Sequence, residues 1–183
     1  MNESFKNPVE KLVATLKYKG VDFELFERPE VLWVGSVDYA NNNKDESDIN
    51  ATLNRHGKLK GDVPKKDLIN PDCWAALSIN YTTDKKPCGV MFGHETYSDN
   101  QDKRYEMYTQ AGGLWLRVAC TKEASLALFG EENAETYRYF ANNRLRNAAE
   151  ENGYKQNFDI LLEYEYYSPN VNYAYIPVVK KMI

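Results

Sequence analysis

Glu163 and Glu165 stand two residues apart in FDILLEYEYY (158–167), among neighbours that are mostly apolar or aromatic. A carboxylate held among aromatic rings can receive an organic cation, and one lifted towards neutrality by burial can act as a general base. A nearby phenol such as Tyr167 can donate to oxygen as negative charge develops there. Strand alternation puts Ile160, Leu162, Tyr164 and Tyr166 on one face and Leu161, Glu163, Glu165 and Tyr167 on the other. The same parity in GGLWLRVACT (112–121) separates Leu114, Leu116 and Val118 from Trp115 and Arg117. If helices cover the apolar stripes, Glu163, Glu165, Tyr167, Trp115 and Arg117 line the opposite surface as a mixed apolar and polar ligand pocket. Tyr105 and Tyr108, in KRYEMYTQ just before Gly112-Gly113, are candidates for its border.

Other chemistries find little support. No Cys/His cluster has zinc spacing, no glycine loop could cradle phosphate, and no Ser-His-Asp arrangement stands out. The chain has two His, and His94 reads as a packed or surface residue, so neither metal nor cofactor is expected. Cys73, Cys88 and Cys120 are widely spaced with no CxxC, as in a protein kept reduced in the cytoplasm. Trp33 and Trp74 read as structural.

The elements that must position these residues follow from period and punctuation. NPVEKLVATLKYKG (7–20) reads as a helix: Asn7 caps, Pro8 suits the first helical position, Val9, Leu12, Val13 and Leu16 form a stripe, and Gly20 ends it. VDFELFE (21–27), VLWVGSVDY (31–39), AALSINYT (75–82) and CGVMFGHETY (88–97) read as strands, with a short helix around Ile49 and Leu53. After the strand at 112–121, Asn133 is expected to cap a long helix striped by Tyr137, Ala141, Leu145 and Ala148 and ended by Gly153. Strands at 158–167 and 172–179 close the chain. Each half runs strand, helix, strand, strand. The expected fold is therefore α+β, with antiparallel strands and helices on one sheet face. The expected organisation is a helical leader (1–20) followed by one domain (21–183) of two pseudo-repeats, about 21–98 and 105–183.

At 183 residues the chain can bury roughly 70% of its unfolded surface in one domain. The net charge of −4, with signs interspersed, argues against nucleic-acid binding. The one basic run, GKLKGDVPKK (57–66), reads as a solvated loop. No apolar run approaches a membrane span. Fourteen Tyr supply flat rings with polar tips, suited to pockets and interfaces.

Four stretches in order, FELFERPEVLWVG, GVMFGHETY, AGGLWLRVAC and FDILLEYEYY followed by YAYIPVVKK, resemble the GyrI-like, or bacterial effector-binding, domain family. The resemblance spans roughly 21–180 and rests most on the closing Glu-x-Tyr and Ile-Pro-Val strands. It implies a duplicated βαββ fold whose cleft between the halves is aromatic-lined and holds a buried Glu for lipophilic cations. The family's Glu-x-Tyr maps onto Glu165-Tyr166-Tyr167, and the frame beginning at Glu163 stays open. It also implies three activities: capture of lipophilic cationic or electrophilic compounds; hydrolysis of cyclopropane-type toxins by a Glu and a Tyr of the cleft, here Glu165 and Tyr167; or effector sensing within a transcription regulator. A protein partner or homodimer is compatible with each.

Overall fold

A computed structural model describes residues 9–38, 63–79, 89–160 and 162–182. In chain order the strands are β1 (Lys11–Tyr18), β2 (Val21–Arg28), β3 (Val31–Asp38), β4 (Trp74–Ile79), β5 (Gly89–Thr96), β6 (Glu106–Gln110), β7 (Gly113–Ala119), β8 (Tyr154–Gln156), β9 (Leu162–Tyr167) and β10 (Tyr173–Lys180). The helices are α1 (Lys122–Phe129), α2 (Arg138–Ala141) and α3 (Arg144–Glu151). The short helix expected around Ile49 and Leu53 lies outside the described residues.

One antiparallel sheet contains all the strands among the described residues, in the order β1-β2-β7-β10-β9-β4-β5-β3-β6, with β8 pairing β10. This is the expected α+β, duplicated fold. The order β7-β10-β9 in one half mirrors β3-β5-β4 in the other about the β9–β4 seam. The strand before each half crosses over: β2 pairs β7, while β6 pairs β3.

The expected leader helix is instead strand β1, hairpinned onto β2 from Lys11↔Glu27 to Tyr18↔Val21. Lys19 and Gly20 have φ of 50° and 79°, the two positive values that a two-residue type I′ turn needs. Gly20 thus ends the segment as a turn residue rather than as a helix cap. The long helix expected from Asn133 is also corrected. It is broken into α2 and α3 at Asn143, whose φ of 57° is left-handed, a conformation that Asn tolerates. Ahead of it α1 is an additional helix, capped by the Thr121 side chain, which accepts from Ala124 N, and ended by left-handed Gly130. Gly153, with φ of 81°, follows α3 as expected.

The helices pack on one sheet face. Phe23 and Leu25 of β2, Leu116 and Val118 of β7, and Ala174, Ile176 and Val178 of β10 bury against Ala124, Leu128, Tyr139, Leu145, Ala148 and Ala149. The opposite face carries a second core of Trp33, Leu77, Met91, Trp115, Leu162, Tyr164 and Tyr175. No residue of β9 joins the helix-side cluster.

This overturns the expectation that Ile160, Leu162, Tyr164 and Tyr166 face the helices. The pairings Ala174↔Glu165 and Tyr175↔Tyr164 put Glu163, Glu165 and Tyr167 on the helix side and the Tyr164 stripe with Trp115. The helices cover β2, β7 and β10, so β9 lies beyond them. Its larger apolar residues therefore turn to the other core.

Candidate functional site

On the face away from the helices, the β9–β4 seam is a floor of fully buried rings. Tyr164 stacks on Tyr175 with ring centroids 4.5 Å apart and planes 12° apart. Trp33 and Trp115 approach Tyr164 at 5.5 Å and 5.6 Å. Trp33 Nε1 donates to Gln110 Oε1 at 2.9 Å, which fixes the indole between β3 and β6.

A line of alternating charges crosses this floor. Arg28, at the end of β2, donates from its guanidinium to Glu95 Oε1 of β5 at 2.7 Å and to the Tyr164 hydroxyl. Its Nε lies 2.5 Å from Glu10 Oε1. Glu10 is in turn 3.5 Å from Arg117 of β7, whose Nε is 2.7 Å from Glu24. Arg117 also donates to the Tyr175 hydroxyl at 2.9 Å. Three carboxylates and two guanidiniums therefore alternate, for a net charge of −1. Arg28 is 4% exposed and Glu95 6%. Burial opposes the charge of Arg28, yet Tyr164, Glu95 and Glu10 hold its pKa above the ordinary value. Burial also lifts the Tyr175 phenol to about 12, with Arg28 and Arg117 pulling the other way.

A cavity of about 430 Å³ opens here, walled by Tyr166, Tyr175, Glu95, Arg28, Asn70 and Cys73. Asn70 Nδ2 donates to the Tyr166 hydroxyl at 3.2 Å, and Tyr166 donates to Glu95 Oε2 at 3.4 Å.

The residues singled out in the sequence divide between two faces. Arg117 walls this cleft, while Trp115 is fully buried in the core on the same sheet face and does not line the cavity. Tyr108 packs on the same side, across from Trp33. Tyr105 does not. It buries with Val34, Val63 and Leu68 in a separate cluster. Glu165 and Tyr167 line a hollow of about 520 Å³ on the helix side, with Cys120, Ser125, Glu135 and Tyr137. There Tyr167 donates to Glu165 Oε2 at 2.5 Å and stacks on Trp74 at 4.2 Å. Burial raises the Glu165 pKa, and the Tyr167 hydrogen bond only partly offsets it. Glu163 is also raised by burial and takes a 3.5 Å hydrogen bond from Gln156, which is itself held by Arg146.

Glu10, Arg28, Glu95, Tyr164, Tyr166 and Tyr175 were not foreseen as site residues. A signal existed in VDFELFERP, where Glu24, Phe26 and Arg28 share parity, and in the buried acid of GVMFGHETY. Among the described residues no cluster of His, Cys, Asp and Glu could hold a metal ion. No described helix is long and apolar enough to cross a membrane.

No family model matches the chain. No curated protein matches it significantly. Solved structures do. SAV2435, in a structure bound to tetraphenylphosphonium, aligns with a TM-score of 0.60 at 13% identity, over 86% of this chain and 93% of that one. A Staphylococcus aureus MU50 protein provisionally assigned to bacterial transcription regulation aligns with a TM-score of 0.58 at 14% identity, over 87% and 99%. At such identities the likeness establishes the fold alone.

Proposed function

We propose that the chain is a small-molecule-binding protein of GyrI-like type, whose cleft beside the Tyr164 floor takes lipophilic aromatic compounds, monocations among them. The observation that carries this reading is the cavity walled by Tyr166, Tyr175 and Glu95. Aromatic faces bury apolar surface and attract cations, and a carboxylate adds charge at short range. The net charge of −1 along the Glu95–Arg28–Glu10–Arg117–Glu24 line favours a single positive charge. The shared fold of SAV2435, whose ligand is a lipophilic cation, supports the same reading. The acid expected at Glu165 is thus reassigned in this reading to Glu95. Calorimetric titration with tetraphenylphosphonium and its neutral analogue triphenylphosphine oxide tests it. Binding is expected for both, tighter for the cation, and Tyr175→Ala should weaken both. A saturating panel of such compounds with no measurable heat or fluorescence change sinks the reading.

A second reading, hydrolysis, is favoured by one feature: the hydrogen-bonded Glu165–Tyr167 pair in its own hollow. Glu165 would activate water and Tyr167 would donate as a strained, electrophilic ring opens. Incubation with a cyclopropane-bearing alkylating compound should yield a water adduct by mass spectrometry. Turnover should vanish in Glu165→Gln and slow about 10²-fold in Tyr167→Phe. Turnover indifferent to both changes excludes this pair.

A further inference from the structure

The cleft already contains a cation in the place an organic cation would take. The Arg28 guanidinium lies 5.3 Å from the Tyr175 ring centre and 5.9 Å from that of Tyr164. It is almost fully buried and binds Glu95 at 2.7 Å. Its neighbour Arg117 fills a second aromatic box, 4.2 Å over Phe26 and 4.7 Å over Tyr173. Guanidinium is planar, delocalised and weakly hydrated, which makes it the protein group most like a lipophilic organic cation. Glu95, the carboxylate best placed to meet a ligand's charge, therefore spends its charge internally.

Resting on the binding reading above, we infer that Arg28 is a resident competitor that sets the cleft's selectivity. A ligand cation gains Glu95 and the Tyr164–Tyr175 rings only as far as Arg28 gives them up. A neutral aromatic compound needs only the wall of Tyr166 and Tyr175. The native cleft thus holds back charge selectivity that its carboxylates could supply. Its best ligands are delocalised monocations with N–H donors, aryl amidines and guanidines, because these restore to Glu95 the hydrogen bond that Arg28 surrenders. Quaternary cations offer no such donor. The two anchors of Arg28, Glu95 on β5 and Glu10 beside β1, come from opposite sides of the β9–β4 seam, so its release is felt on both sides of the cleft.

Arg28→Met keeps much of the side-chain bulk and removes the charge. It is expected to tighten tetraphenylphosphonium at least about tenfold, while triphenylphosphine oxide changes less than about threefold. The double variant Arg28→Met/Glu95→Gln should lose the gain, since the freed carboxylate is then gone. In the unaltered protein, benzamidine should outbind benzyltrimethylammonium, and Glu95→Gln should shrink that difference, because the charged acceptor for the amidine N–H is then gone. A second measurement is independent of any variant. The Arg28 Nη–H resonances, one of which is donated to Glu95, should be protected in the free protein and lose protection at saturating tetraphenylphosphonium. If Arg28→Met folds and binds the cation no tighter, or if the Nη–H resonances stay protected at saturation, the inference is overturned while the binding reading stands. If the native chain binds none of these compounds, the binding reading itself fails.

Discussion

Arg28 and Glu165 are both charged groups drawn out of water, and their surroundings treat them oppositely. Arg28 is met by two carboxylates and two phenols and keeps its charge. Glu165 is met mainly by a phenol, so burial raises its pKa from the ordinary 4.5. The sign of the linkage follows. Between 4.5 and the raised folded value the folded state binds more protons than the unfolded chain, so this residue's contribution to stability falls as pH rises through that window. Gln cannot titrate and still accepts the Tyr167 hydrogen bond. Glu165→Gln should therefore gain stability relative to wild type on going from about pH 4 to about pH 8, read from urea midpoints. An identical difference at both values would show that Glu165 titrates normally. The sequence made the Glu163–Glu165 pair visible because two acids in an apolar strand break its pattern. It hid Glu95 and Arg28 because Arg28 closes a strand whose other charged residues are all acids, Glu95 stands in a strand far away in the chain, and their meeting depends on long-range pairings.

At the scale of elements, β1 and its turn show how one pattern can serve two structures. Val9, Leu12, Val13 and Leu16 satisfy a helical stripe, and a terminal Gly fits a helix end or a hairpin equally well. Pairing with β2 decides the matter, and that is a tertiary fact. Gly20 is in open space, so Gly20→Ala should cost about 1 kcal/mol through its φ of 79° alone. Gly35 of β3 differs, because a Cβ there would meet the Phe92 carbonyl oxygen at 2.0 Å and Gly93 Cα at 2.6 Å. Since backbone cannot swing aside, Gly35→Ala should cost more, about 2–3 kcal/mol by denaturant titration. Equal losses at the two glycines would refute this distinction between conformational and steric cost. The strands β2, β3, β4, β5, β7, β9 and β10 were legible from their alternation and their Gly and Pro boundaries. The face each presents to the helices was not. Parity tells which side chains travel together, as Trp115 with Arg117 and Glu163 with Glu165 do, but β7 and β9 carry opposite apolar loads on their helix side. Only the helices' lateral reach determines that.

At the scale of the whole molecule, the sheet order interleaves the two halves. β2 and β3 are joined by a short turn, yet β2 completes the edge of β7 while β3 lies beyond β5. In the same way β6 pairs β3 while the following β7 pairs β10. Separating the halves therefore breaks the β4–β9 seam and also strips an edge strand from each. The seam carries the Tyr164 floor, and Arg28 ties β2 to β5 across it. Neither half retains its core without the other, so thermal unfolding is expected as one transition with matching calorimetric and van't Hoff enthalpies. A ligand in the cleft touches residues of both halves and should move that single transition intact. At a free concentration of about 100 times Kd the gain is about 2.7 kcal/mol, or roughly 5–10 °C in Tm for a chain of this size. Calorimetric scans with and without tetraphenylphosphonium provide the measurement. Two resolved transitions, or a ligand that shifts only part of the heat absorption, would mean that the halves are energetically separate and that the cleft belongs to one of them.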